Sequence, residues 1–441
     1  MSIIRSIATA LLILSAPMAH PQVMMKDASA AAENGVGLTV LIAEALKGNP
    51  EIRAARSEAD AARQRVAPAG ALDDPMLETG LLSVPTRSWR LNREEMTMKM
   101  LGMSQRLPYP GKRALRREVA ARDADTLEQA YRETVNRVAK EVKLAYFDLG
   151  LATETVRQQR DTWLVLEQFL RIAEGRYGVG QGTQADVLKA QTRLAKMSEE
   201  LLRMQREIPV MEAELTKLLG RGSMAGPIVA PLPLLHEANF DLGAMRETAL
   251  QERPQLLALR SMIDKGSSAL DLARKEYNPD FDVRLSYGQR ENAPDGMRRS
   301  DMISLTVAIN LPIWRKDKLE PRVAEAHAMR DQARSLFQAQ QNETFAKLRQ
   351  QAAIAEQSRR SAELYDSAIL PQAALAVEST LASYRVNRAD LLMLLDSQMS
   401  LFNYRIGRAE AVVNLNKALA EIEQLTGAPR SYAEGEKWGL R

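Results

Sequence analysis

The chain has no cysteine among its 441 residues, which excludes thiol catalysis, cysteine-based zinc sites and disulfides together. Histidine is almost as scarce. His20, His236 and His327 stand far apart, so no histidine-based catalytic or metal centre is expected, and no cofactor. No paired-carboxylate constellation stands at usable spacing either, and the chain does not read as an enzyme. Aromatic residues make up only 5%, and the surplus of Ala, Leu, Gln, Glu, Lys and Arg favours long helices over a compact mixed core. Charge of one sign is lacking too. The 60 basic and 56 acidic residues interleave to a net +4, which leaves no basic block to make a nucleic-acid surface.

Long apolar runs are also missing. The N-terminus "MSIIRSIATALLILSAPMAH" places Arg5 before an apolar stretch from Ile7 to Leu14, the layout of a secretory signal too short to cross a bilayer. Residues 1–30 are read as signal and mature N-terminal segment, with cleavage after Ala19 or at Ala28-Ser29-Ala30. Beyond them no run of about 18 apolar residues occurs, so no membrane-spanning helix is expected.

What the chain does contain is written twice. "IAEALKGNPEIRAARSEADAA" from Ile42 matches "RETALQERPQLLALRSMIDKG" from Arg246, and Pro50 falls on Pro254, 204 residues on. Pro108 of "RLPYPGKR" falls on Pro312 of "NLPIWRKD" at the same spacing, while Tyr177 and Gly220 fall on Tyr384 and Gly427 at 207. Two tandem repeats follow, 38–220 and 239–427, joined by a Pro-rich linker over 221–238 and trailed by a tail over 428–441. A duplicated plan of this size argues for a scaffold or assembly.

Each repeat opens with one helical segment, Leu38 to Arg65 and Leu242 to Tyr277. Two short alternating stretches come next. In "DFDVRLSYG" and "MISLTVAIN" apolar residues alternate with Asp282, Arg284, Ser286, Ser304, Thr306 and Asn310, the period of strands with one apolar and one polar face. Strands are expected at about 281–288 and 301–310, and more loosely at 76–84 and 96–105. Strands of this kind fit either hairpins on a soluble core or an outer-membrane barrel with the polar residues in its lumen. Four strands cannot close a barrel, since small ones use about eight, so a barrel needs other copies of the chain. Met96, Met98 and Met100 crowd one strand face. If that face meets lipid they are apolar filler rather than soft metal ligands.

Two long helical courses complete each repeat. Val135, Val138, Val142, Ala145, Leu149, Ala152 and Val156 step by three and four, as do Leu395, Met399, Phe402, Ile406, Ala409 and Val413, giving seams of the coiled-coil kind. Between the first two courses stands "RYGVGQGTQADVLKAQ". A phosphate-cradling loop would need a strand before its glycines, whereas "DTWLVLEQFLRIAEG" is an amphipathic helix. The glycines therefore mark a tip between helices at 177–184, with a counterpart at 384–390. Gly178, Gly180 and Gly182 admit backbone conformations closed to other residues, and Thr183, Gln184 and Asp186 are placed to cap the next helix.

These parts together resemble the TolC-like outer-membrane efflux channels, over roughly Leu38 to Gly427. "LPYPGKR", "RYGVGQGTQADVLKAQ" and "ILPQAALAVESTLASYRVNRADLLMLLDSQ" carry the likeness, and "DDPML" with "PYPGKR" resembles the heavy-metal branch. The resemblance implies an α+β homotrimer in which each protomer gives four strands to a twelve-strand barrel, continued by a helical tunnel in the periplasm. It implies tips at Gly178, Val179, Gly180, Gln181, Gly182 and Thr183, and at Val386, Asn387 and Arg388, that meet a membrane-fusion adaptor bound to an inner-membrane pump. The second tip departs from the pattern with Asn387 and Ala389 in place of glycines. Asp396 matches an acidic gate position, with Asp186 the nearest acid of the first repeat. Without a cysteine for lipidation, the barrel alone is expected to hold the protein in outer-membrane lipid. A secreted coiled-coil structural or adhesion protein is the competing reading.

Overall fold

The computed structural model describes residues 37–222, 226–236 and 240–428. The expected signal segment and all but the first residue of the C-terminal tail lie outside the described residues, as does part of the linker.

Each repeat opens with two helices rather than the single expected segment, because the backbone before a proline disfavours the helical conformation. Helix α1 (Leu38–Gly48) stops at Asn49, whose side chain accepts hydrogen bonds from the N–H groups of Glu51 (2.8 Å) and Ile52 (3.3 Å) and so caps α2 (Pro50–Ala69). Pro50 sits in the first turn, where its missing donor costs nothing. The second repeat breaks at the equivalent Arg253–Pro254, between its own two opening helices, with no side-chain cap from Arg253.

The strands are β1 (Met76–Leu82), β2 (Met98–Leu107), β3 (Phe281–Gln289) and β4 (Met302–Ile309). They form one antiparallel sheet in the order β1-β2-β3-β4, so the repeats join through β2 and β3. The register puts odd-numbered residues of all four strands on one face and even-numbered residues on the other. The odd face is an apolar band open to the surroundings, with Ile303 76% and Leu305 70% exposed. Asp282, Arg284, Ser286, Ser304 and Thr306 share the even face, where Arg284 pairs with Glu78 at 3.1 Å across β2.

Two readings change here. Met98 and Met100 lie on the even, polar face, opposite the apolar band, while Met96 precedes the strand. The alternation of β2 is too weak to declare its faces, and only its pairing with β3 does so. Met98 is nonetheless packing material: its sulfur lies 2.3 Å from the point where a Cβ on Gly288 would stand. Asn310 falls beyond β4 and clasps the sheet base instead. Its N–H donates to the Asp280 carbonyl at 3.2 Å, and its side-chain oxygen accepts from the Asp280 N–H at 2.5 Å.

Helix α3 (Lys112–Gly178) runs 67 residues, about 100 Å at 1.5 Å per residue, and returns as α4 (Gln184–Leu219). The second repeat follows α5 (Leu242–Glu252) and α6 (Pro254–Lys275) with a π-helical turn (Arg315–Leu319) and then α7 (Glu320–Leu364). Its descent is broken by a second π-helical turn (Tyr365–Ile369) before α8 (Leu370–Arg385), and it returns as α9 (Leu391–Thr426). Pro371 in the first turn of α8 has no N–H to give to the helix, which accounts for the widened turn before it.

The helical seams are buried. Val138, Val142 and Leu149 of α3 share a core with Leu41 and Ala45 of α1, Leu215 and Leu219 of α4 and Val413 of α9, and Leu395, Phe402 and Ala409 of the α9 seam are buried too. Antiparallel to one another, α3 and α9 are also joined by charge: Lys143 to Glu423 at 2.6 Å, Lys140 to Glu421 at 3.2 Å, and Lys417 to Asp148. Burial pushes the Lys143 ammonium below its ordinary pKa, against the pull of Glu423. Gly150 in α3 leaves room for the linker. A Cβ there would meet the Pro231 carbonyl oxygen at 2.7 Å.

Candidate functional site

The two tips lie side by side at the end of the helical body and are built by the same bonds. In the first, the Gly180 N–H donates to Tyr177 O (3.0 Å) and the Gln181 N–H to Arg176 O (2.8 Å). In the second, the Asn387 N–H donates to Tyr384 O (3.2 Å) and the Arg388 N–H to Ser383 O (2.9 Å). Both pairs are the doubled closure of a helix end whose next residue must be left-handed. Gly180 has φ 73° and Asn387 φ 66°. Asparagine tolerates that region better than other side-chain-bearing residues, so losing the glycine leaves the fold of the second tip intact.

The next helices begin in equivalent ways. Thr183 and Asp186 make a reciprocal capping box at the start of α4, with the Asp186 N–H donating to Thr183 Oγ1 at 3.2 Å and the Thr183 N–H to Asp186 Oδ2 at 3.4 Å. Gln184 is simply the first helical residue. Asp390 caps α9 by accepting from the Met393 N–H at 2.8 Å. Val179 and Val386, 207 residues apart, stand bare at the two ends, 69% and 63% exposed.

Arg176 was not visible as a functional residue from the sequence, yet it ties the tips together. Its guanidinium carbon lies 4.4 Å from the centroid of the Tyr384 ring. One side of the fork donates to the Gln181 carbonyl at 3.0 Å, and the group also donates to the Tyr384 carbonyl and to Asn387 Oδ1. Stacking with a planar fork is chemistry lysine could not supply. Tyr384 is itself buried, and burial pushes its phenol above the ordinary value. The only sequence signal was the Tyr177–Tyr384 equivalence, which aligned the tyrosine without its partner.

Between the tips is a cleft of about 640 Å³ lined by Arg176, Asp186, Tyr384, Arg388 and Asp390 among others. Asp396 lies outside it, exposed on α9, and borders two grooves. One, of about 750 Å³, is shared with Gln372, Ser400 and Tyr404; the other with Lys189, Arg193 and Lys196 of α4. Asp396 makes no ion pair with any described residue, whereas the Asp186 carboxylate is engaged in its cap. Among the described residues no helix is long and apolar enough to cross a membrane. None of their His, Asp and Glu side chains form a group of three or more able to hold a metal ion.

The profile of the family described as outer membrane efflux protein matches residues 41–221 and 245–428, one segment in each repeat. The chain is 23% identical over 398 residues to the cobalt-zinc-cadmium resistance protein CzcC of Cupriavidus metallidurans, covering 88% of this chain and 90% of CzcC. It is 26% identical over 240 residues to the fusaric acid resistance protein FusA of Burkholderia cepacia, covering 52% of this chain and 44% of FusA. Among solved structures, the outer-membrane channel OprN superposes with a TM-score of 0.76 at 18% identity, covering 89% of this chain and 90% of OprN.

Proposed function

This chain belongs to the outer membrane efflux protein family, and from that premise we propose that it is the passive exit duct of a tripartite efflux system for heavy-metal cations. An inner-membrane pump supplies the energy, a periplasmic adaptor couples it to the duct, and no bond is made or broken in transit. The family membership sets aside the secreted coiled-coil reading.

The sheet supports the outer-membrane part. A four-strand sheet with an exposed apolar face, a charged opposite face and two free edges is a barrel segment, and three copies supply twelve strands. Asp282, Arg284, Ser286, Ser304 and Thr306 then line the lumen, with Asn310 at its base. The tips support the adaptor part. Bare Val179 and Val386 at quasi-equivalent positions, flanked by Gly178, Gly180, Gln181, Gly182 and Thr183 on one side and Asn387 and Arg388 on the other, offer a repeated apolar contact with a polar rim.

Asp396 is the gate candidate, because its carboxylate is unpaired; Asp186 is weaker, being held in a cap. Three Asp396 carboxylates converging on a threefold axis would repel one another and draw cations. The observation that carries the cation cargo is the match to CzcC over 88% of the chain, against 52% for FusA.

Single-channel conductance in planar bilayers, wild type beside Asp396→Ala, tests the reading. A cation-selective pore whose conductance rises in the variant is expected. A pore indifferent to the substitution would move the gate elsewhere, and a protein that makes no pore would end the duct reading.

A further inference from the structure

The two repeats are alike in sequence and unlike in what covers them. In the first repeat the turn between β2 and α3 is roofed by the second: the Tyr109 N–H donates to Asp280 Oδ1 at 2.9 Å, and Lys112 Nζ binds the same oxygen at 2.7 Å with both side chains buried. The Lys275 ammonium stands 5.8 Å from the Tyr109 ring centroid. The matching turn between β4 and α7 has no roof. Ile313, the equivalent of Tyr109 at a spacing of 204, is 68% exposed, and Trp314 beside it is 67% exposed. Lys316, the equivalent of Lys112, is exposed and makes no ion pair with any described residue.

The complement is present at the other edge of the same sheet. Just before β1 stand Asp73 and Asp74, exposed and without an ion pair to any described residue, followed by Met76 at 61% and Leu77 at 74% exposure. One edge thus offers a bare apolar turn with an unpaired lysine, and the other bare apolar residues with unpaired aspartates. At a spacing of 204 Asp74 stands where Asn278 accepts from Lys112 through its carbonyl at 2.8 Å, while Met76 stands where Asp280 does, so the carboxylates of this edge are set just ahead of the internal one along the chain.

We propose that a second copy of this chain seats its β1 edge on β4 in the register of the internal junction, with its Asp73–Asp74 pair clasping Lys316 and its Met76 and Leu77 covering Ile313 and Trp314. This inference rests on the trimeric duct reading above and specifies its seam. The register follows from the repeat. Pro108 and Pro312, and likewise Pro75 and Pro279, stand 204 residues apart, and each abuts a strand end. Shifting the observed pair Gln105↔Val283 by that spacing gives Ile309 opposite Thr79 of the next copy.

Both residues lie on the odd face, so the apolar band of one copy continues into that of the next. Barrel geometry agrees. Partners followed from Met76 through Ser104, Arg284 and Thr306 then reach Leu82 of the next copy, six residues further along (82 − 76). Three copies advance by three times as much, and with strands about 4.7 Å apart rising about 3.3 Å per residue this sets a strand tilt of about 45°. A slip of two residues gives about 55° or about 35°. The internal registers of the two repeats themselves differ by two residues under the same shift, so the seam is best scanned.

The absence of native cysteine makes that scan clean. Ile309→Cys would be combined in turn with Leu77→Cys, Thr79→Cys and Leu81→Cys in the full-length protein in membranes, oxidised, and resolved by non-reducing electrophoresis. Directly opposed residues on neighbouring strands fall within disulfide reach. Covalent dimers and trimers strongest for Thr79→Cys are expected, with Lys316→Asp weakening the unmodified trimer and the added Asp74→Lys restoring it. A maximum at position 77 or 81, or a trimer by size in which no pair cross-links, overturns the seam and leaves the duct standing. A wild-type protein that is monomeric in mild detergent overturns both.

Discussion

Replacing Arg176 by alanine should separate the two tips. Its side chain makes two charge-assisted hydrogen bonds to the second tip, at the Tyr384 carbonyl and Asn387 Oδ1, and stacks on the Tyr384 ring. Such bonds contribute about 1.5–3 kcal/mol each, and a half-buried site belongs at the lower end. The stack adds about 0.5–1 kcal/mol, while immobilising a long side chain costs about 2 kcal/mol. The balance is about 2 kcal/mol, which corresponds to about a 30-fold change in the population of separated tips.

Hydrogen exchange reads this directly. The Asn387 and Arg388 amides are closed only by local bonds to Tyr384 and Ser383, so their exchange should quicken by about that factor in Arg176→Ala, while the fully buried seam at Val138 and Val142 stays unchanged. Arg176→Lys should recover little, because a lysine cannot serve both acceptors and the ring together. Unchanged exchange at both amides in Arg176→Ala would refute the reasoning and reduce the contact to a surface arrangement.

Asn387→Gly relieves the positive φ but removes the Oδ1 that accepts from Arg176, and should cost about 1 kcal/mol, whereas Asn387→Val loses the same acceptor and also resists positive φ, and should cost about 2–3 kcal/mol; thermal unfolding compares them. Glu423→Ala leaves the Lys143 ammonium buried without its carboxylate partner. A loss of about 3–5 kcal/mol is expected, and Lys143→Met in the same background should recover most of it in denaturant titrations. Glu133 accepts from Gln424 at 2.9 Å, yet burial holds its pKa above the usual carboxylate range. The folded state therefore keeps that proton longer than the unfolded one, and this residue's contribution falls as pH rises through the interval above the ordinary value. Glu133→Gln should raise the melting temperature at neutral pH, with the gain shrinking as acid protonates the wild-type side chain.

Much of this protein could be read along the chain, because its periodicities are local. Alternation in Phe281–Tyr287 and Ile303–Ile309 specifies strands with unlike faces, and the three-and-four spacing of Val138, Val142, Ala145 and Leu149 specifies a helix that must be covered along its length. The repeat at 204 to 207 residues specifies that whatever one half builds, the other half builds again. What required the fold were matters of pairing between distant segments. Met98 and Met100 belong to the polar face only because β2 lies against β3, and a strand of weak alternation cannot say which face it will present. The two opening helices part at Pro50 and Pro254 through a backbone constraint that side-chain periodicity does not express. Arg176 meets Tyr384 and Asn387 across more than two hundred residues, and the Pro231 carbonyl comes to lie against Gly150 from a segment about eighty residues on. Periodicity determines which face of an element must be buried; only tertiary packing decides what buries it.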